Sequence, residues 1–146
     1  MRIVERVIAL HRVPIFSTVP GRVLAAVAVA AGEAELAPGT TFVHEGAVED
    51  HLWVVVSGAV RVHRGELVIR DLGPGDTVGE LAALSPEPRS ASVSTTARTA
   101  LIRIDKPILD ELLADYPELM QAVVSVLVDR VRDLTPQAPA LSPGRA

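Results

Sequence analysis

"GELAALSPEPRSASV", residues 79–93, interrupts a series of short β-type segments. Its first part, "ELAAL", is made of good helix formers enclosed by Gly79 and Pro86, which predicts one or two helical turns. The first amides of such a turn have no intrahelical acceptor and lie at the positive end of its dipole. Gly79, Leu81 and Ala82 are therefore placed to offer backbone N–H groups to an anion, phosphate above all. A side chain at 79 would hold that anion off the backbone, so glycine suits the position. Arg89, set by Pro88 before it, brings a planar guanidinium fork that can meet the same anion with charge-assisted hydrogen bonds. Glu80 only accepts, and its chemistry fits a pair of hydroxyl donors such as those of a ribose rather than a phosphate.

On both sides of this stretch the chain is β-branched and punctuated by glycine turns: "APGT", "HEGAVED", "SGAV", "HRGEL" and "LGPGD". Strands are predicted over Glu33 to Leu36, Thr41 to His44, His51 to Val56, Ala59 to His63, Glu66 to Asp71, Ser90 to Thr95 and Ala100 to Ile104. Their short, even spacing belongs to a sandwich or small barrel. Helices flank this β region. Ile3, Val4, Val7, Ile8 and Leu10 recur at helical spacing in "RIVERVIALH". A second short helix follows in "TVPGRVLAAVAVAAGEA", starting near Thr18 or Pro20 and stopping at Gly32. After the strands, "DKPILDELLADY" begins with Asp105 as an N-cap, and "YPELMQAVVSVLVDRVRDL" begins with Pro117 early in the helix. One domain over residues 1–134 is expected, with its barrel at about 33–104 and its C-terminal helices at about 105–134. The proline-rich residues 135–146 read as a flexible tail.

These residues strongly resemble the cyclic nucleotide-binding domain family. That family's phosphate cassette reads approximately Phe-Gly-Glu-Leu-Ala-Leu, a few variable residues, then Pro-Arg-small-Ala-Thr-Val. Here it is Val78-Gly79-Glu80-Leu81-Ala82-Ala83 and Pro88-Arg89-Ser90-Ala91-Ser92-Val93. "APGTTFVHEGAVEDHLWVVVSGAVRV" is similar to the first half of the family's barrel, with Gly39, Gly46, Asp50 and Gly58 at its turns, and the resemblance spans roughly residues 12–133. It implies a mainly β fold with flanking helices: a jelly-roll-like β-roll, N-terminal helices, a short cassette helix and two C-terminal helices. It also implies a ligand, cAMP or cGMP, and no further cofactor. Glu80 would take the ribose 2′-hydroxyl and Arg89 the cyclic phosphate, while the amides of Leu81 and Ala82 together with Ser90 would take the remaining phosphate oxygens. Val78 stands where an aromatic is usual and Ala83 where the family has a bulkier apolar residue, which implies a more loosely packed cassette helix.

Bulk properties bound the alternatives. The net charge of −4 over 146 residues shows no Lys/Arg patch of the kind that phosphate-backbone binding needs, so no nucleic-acid partner is expected. With no cysteine there is neither a disulfide framework nor a thiolate metal site, which suits a cytoplasmic protein. The longest apolar run, Val23 to Ala31, is about half of the roughly 20 residues a membrane span needs, so no direct membrane insertion is expected. A cytosolic module of a larger membrane protein is compatible with all of this. His44, His51 and His63 raise the competing idea of a metal-binding barrel of the cupin type, but they lack the close His-x-His spacing that such a site requires. No Gly-x-Ser-x-Gly elbow or paired His and Asp accompanies the serines, so no enzyme is expected. Trp53 and Phe42 read as core residues rather than ligand stackers.

The last helix, over 117–134, is apolar around most of its circumference between Ala122 and Val128. It is either buried against its own barrel or covered by a homodimer partner or an effector domain. The function expected is a regulatory ligand sensor that signals through its C-terminal helices. The alternative is the same fold used without ligand as an interaction or structural module.

Overall fold

The computed structural model describes residues 1–79, 83–84 and 87–134. Helix α1 (Ile3–His11), a 3-10 turn (Pro14–Phe16) and α2 (Gly21–Ala30) lead into strands β1 (Gly32–Leu36), β2 (Thr41–Val43), β3 (His51–Ser57), β4 (Val60–Arg64) and β5 (Leu67–Leu72). After β6 (Thr77–Val78) come β7 (Ser92–Thr95), β8 (Thr99–Asp105) and helices α3 (Lys106–Asp115) and α4 (Pro117–Leu134). The expected tail, 135–146, lies outside the described residues.

The strands form two four-stranded sheets with orders β1-β8-β3-β6 and β2-β7-β4-β5, and every pairing between them is antiparallel. The fold class is the expected one, although the sheets face each other without closing into a continuous barrel. Strand β3 explains the layering. Its run "LWVVV" places Leu52 and Val54 on one face and Trp53 and Val55 on the other, because side chains alternate along a strand. Trp53 and Val55 join Val43, Val60, Val78, Val93 and Leu101 between the sheets. Leu52 and Val54, with Ile102 and Ile104 of β8, pack instead under the helices, against side chains such as Leu10, Phe16, Leu24 and Leu119. The first sheet is thus buried on both faces, which accounts for continuous rather than alternating apolarity in its central strand.

Several sequence expectations shift. The strand expected from Ser90 begins at Ser92, and the residues just before Ser90 are engaged with the 46–48 loop: Pro88 bridges Val48, and Arg89 N–H donates to the Ala47 carbonyl at 2.8 Å. Strand β6, only two residues long, carries too little pattern to be predicted. Gly32 does not stop α2 but opens β1, the helix having ended at Ala30. Asp105 stands at the N-cap of α3 without a side-chain capping bond. His51 Nδ1 lies 2.9 Å and Arg103 Nε 3.0 Å from its Oδ1, ion-pair distances at which, among the described residues, neither His51 Nδ1 nor Asp105 Oδ1 makes a well-aligned hydrogen bond.

Helix α4 is neither wholly covered nor free. Leu119, Ala122 and Val123 are buried against the 3-10 turn and α3, whereas Met120, Val124 and Val128 are exposed. The exposed residues recur four apart, a second stripe beside the packed one.

Candidate functional site

Arg89 decides what this region can do. It lies in the short stretch that pairs with the 46–48 loop, Gly46 N–H donating to its carbonyl and its own N–H to the Ala47 carbonyl, both at 2.8 Å. Its backbone is fixed on both sides, and its side chain turns inward, only 7% exposed. Nη2 donates to the His51 carbonyl at 3.0 Å, at the start of β3. Glu49 stands 3.6 Å from Nε, yet among the described residues neither Arg89 Nε nor Glu49 Oε1 makes a hydrogen bond. Burial lowers the pKa of Arg89, and the carboxylates of Glu49 and Asp50 oppose that shift. The guanidinium stays protonated at neutral pH. A buried cation with donor capacity left over is costly unless an anion completes it.

Gly79 is the second element. Its φ of +82° belongs to the left-handed region that glycine occupies without steric penalty. A Cβ at this position would lie 2.7 Å from the His51 carbonyl and would also collide with the Arg89 guanidinium. The glycine therefore makes room for Arg89, whereas the sequence argument had it make room for ligand. Beyond it, Ala83 N–H donates to the Gly79 carbonyl at 2.9 Å with α-helical spacing, in keeping with the predicted turn. Glu80, Leu81 and Ala82, which carry the ribose contact and two of the amides in the sequence reading, lie outside the described residues. Val78 and Ala83, where looser packing was expected, are 8% and 0% exposed: Val78 faces the inter-sheet core and Ala83 the helical one.

Ser90 is exposed, and its carbonyl accepts from Arg64 Nε at 2.8 Å. Among the described residues its hydroxyl has no hydrogen-bond partner. Close by, Trp53 is 8% exposed and sits edge-on to Phe42, with ring centroids 5.3 Å apart, tying β3 to β2 across the sheets. Both aromatics are packing residues, as expected. The Arg103 guanidinium carbon lies 6.0 Å from the Trp53 ring centre, a cation–π geometry set by their opposition across β3 and β8.

Sequence reasoning missed Glu49 as a site residue. It is forty positions from Arg89, and the long-range pairing of residues 46–48 with Pro88 and Arg89 brings the two together, so no local pattern could reveal it. The histidines are accounted for separately. His44 is exposed, and His51 Nδ1 stands 2.9 Å from Asp105 Oδ1. His63 Nδ1 is 2.8 Å from the Gly65 carbonyl, which can only accept, so this nitrogen carries a proton. Its Nε2 lies 2.7 Å from Ser94 Oγ, which is 2.7 Å from Thr41 Oγ1. These contacts belong to a polar relay across the second sheet.

Among the described residues no helix is long and apolar enough to cross a membrane. The cyclic nucleotide-binding domain family model matches residues 33–116. In sequence the chain is 33% identical over 107 residues to a Pycsar effector protein, XpPycTIR, of Xanthomonas perforans, covering 72% of this chain and 35% of that protein. It is 30% identical over 128 residues to a CRP-like cAMP-activated global transcriptional regulator of Mycobacterium tuberculosis, covering 84% of this chain and 57% of the regulator. The chain thus spans between about a third and somewhat over half of these relatives' length. In structure it is similar to the N-terminal domain of a transcriptional regulator from Streptomyces coelicolor, with TM-score 0.78 and 29% identity over 86% of this chain and 91% of that one. A two-sheet fold of this order, an inward arginine opposite a left-handed glycine, and a family match over more than half the chain all agree, and the protein belongs to the cyclic nucleotide-binding domain family.

Proposed function

We propose that this chain is a regulatory sensor whose ligand is cAMP or cGMP. The cyclic phosphate is held by Arg89, by the amides of Leu81 and Ala82 beyond Gly79, and by the Ser90 hydroxyl, while Glu80 receives the ribose 2′-hydroxyl. The observation that carries this reading is the buried Arg89 guanidinium, which keeps an unused Nε donor beside the start of the cassette. The cAMP activation named for the mycobacterial relative supports a cyclic nucleotide as the ligand class. Ligand recognition rather than catalysis is the role we assign, and its output passes through α4 to a protein partner in the cytoplasm. A net charge of −4 speaks against DNA as that partner.

Leu84 supports the route of the signal. It stands at the end of the "ELAAL" stretch and lines one small apolar cavity together with Val123, Val126 and Leu127 of α4. A ligand that draws the cassette inward would alter that contact. The ligand shifts the helix only to the extent that it binds one helix arrangement better than the other.

Calorimetric titration with cAMP and with cGMP tests the assignment and the choice of base. Arg89→Ala is expected to cost roughly 2 to 5 kcal/mol of binding, the range for removing one partner of a buried charged contact. A change smaller than about threefold in Kd, under 1 kcal/mol, would remove Arg89 from the site. Saturating ligand at about 100 times Kd should add about 2.7 kcal/mol of stability, visible as a raised Tm. No shift with either nucleotide would favour the same fold working as a ligand-free interaction module.

A further inference from the structure

Arg89 meets an anion before any ligand arrives. Among the described residues its ion-pair partner is Glu49, whose carboxylate stands 3.6 Å from Nε and whose side chain is 24% exposed. Such a carboxylate can serve a phosphate site in one of two ways: it holds the guanidinium in its working position, or it opposes the charge of what binds there. The geometry favours the second. Arg89 is positioned by other groups: its backbone N–H donates to the Ala47 carbonyl, its carbonyl accepts from Gly46, Nη2 donates to the His51 carbonyl at 3.0 Å, and the bare Cα of Gly79 leaves room for Nη1. Glu49 adds no bond to this set, since neither its Oε1 nor Arg89 Nε makes a hydrogen bond among the described residues. What it contributes is charge.

Burial lowers the pKa of Arg89, and both Glu49 and Asp50 act against that shift. Asp50 is the more exposed of the two, 43% against 24%, so water screens it more. In the ligand-free protein Glu49 therefore offsets much of the cost of a buried cation. Once a phosphate enters, the same carboxylate is a like charge beside it. A cyclic phosphodiester carries a single negative charge, whereas a nucleoside 5′-monophosphate carries close to two above its second pKa of about 6. Repulsion from a carboxylate grows in proportion to the ligand's charge. We propose that Glu49 is a charge selector for this site: it lets Arg89 hold a singly charged phosphodiester and turns away doubly charged phosphomonoesters. Repulsive groups of this kind discriminate between ligands without adding a contact to the favoured one. The inference rests on the assignment of Arg89 to the ligand phosphate, and it adds the class of phosphate that the site accepts.

Calorimetric titration at a pH of about 8, where a monoester is a dianion, tests this on the full chain with cAMP against 5′-AMP and cGMP against 5′-GMP. Glu49→Gln keeps the shape of the side chain and removes its charge. It should tighten the cyclic nucleotide by roughly tenfold and the 5′-monophosphate by about the square of that factor, because a dianion feels the lost charge about twice as strongly. A 5′-monophosphate that titrates only with the variant counts as the same result. Glu49→Ala should act like Glu49→Gln, whereas Glu49→Asp keeps the charge and should keep the wild-type preference.

A second measurement needs no nucleotide. Inorganic phosphate should raise the Tm of Glu49→Gln more than that of the wild type, since its general effect on burial acts on both proteins alike. That excess should vanish when Arg89→Ala is added. The proposal is overturned if Glu49→Gln weakens both nucleotides, leaves both unchanged or tightens both by the same factor, or if Glu49→Asp behaves like Glu49→Gln. If no protein binds a cyclic nucleotide while phosphate still separates the variant from the wild type through Arg89, the ligand reading falls and the role of Glu49 stands. Absence of both responses overturns the two together.

Discussion

Gly79 and Gly58 look alike in sequence, each a turn glycine beside a strand, and both have positive φ, +82° and +94°. Their surroundings separate them. A Cβ on Gly58 would come within 2.7 Å of the Thr99 Cα, a backbone atom that cannot step aside. A Cβ on Gly79 would drive into the Arg89 guanidinium, the group on which ligand binding is proposed to rest. Gly58→Ala should therefore cost at least about 1–3 kcal/mol of stability, the penalty for a strained left-handed residue, and leave cyclic nucleotide affinity unchanged. Gly79→Ala should cost both stability and affinity. Urea unfolding and calorimetry on the two variants check this, and equal affinities would detach Gly79 from the binding site. The glycines themselves were legible as turn signals, but the neighbour that makes 79 functional was not, since it arrives from ten residues further along the chain.

Among the elements, α4 was the most ambiguous in sequence. Residues 122–128 are nearly all apolar, and periodicity alone could not divide the face that packs from the face that does not. The fold divides them: Ala122 and Val123 are buried, Val124 and Val128 remain in solvent, and Val126 and Leu127 sit half-buried beside Leu84. That last contact is the one expected to report ligand. Leu84→Ala should leave nucleotide affinity within about threefold of wild type, under 1 kcal/mol, while reducing the ligand-dependent change in amide hydrogen exchange along 117–134. An undiminished exchange response in the variant would mean that the signal leaves the cassette by another route. Edge strand β5 is the reverse case. Its position at the rim could not be read from its own residues, because strand order comes from pairings of segments far apart in the chain.

For the molecule as a whole, stability is divided between two cores on opposite faces of the first sheet. Leu52 and Leu101 are both fully buried, Leu52 beneath the helices and Leu101 between the sheets. Leu52→Ala and Leu101→Ala should each destabilise by about 2–5 kcal/mol in urea unfolding. The double variant should lose close to the sum, because the two side chains lie in separate clusters. A much smaller combined loss would mean that the two cores act as one.

By itself the sequence determined the helix–strand–helix order, the turn glycines and the cassette with its paired glycine and arginine, because those depend on residues near one another in the chain. Where strands begin and end is less legible: the sequence places Ser90 in a strand, but long-range pairing of Pro88 and Arg89 with the 46–48 loop precedes it and β7 begins only at Ser92. Tertiary structure alone decided that Glu49 would face Arg89, that the Asp105 side chain, at its N-cap position, would lie beside His51 and Arg103 rather than bond the α3 amides, and that β5 would be left at an edge. The physical reason is common to all three. A side chain's local propensity is similar wherever it stands, whereas its partner is chosen by which distant segments are brought together when both faces of one sheet are buried.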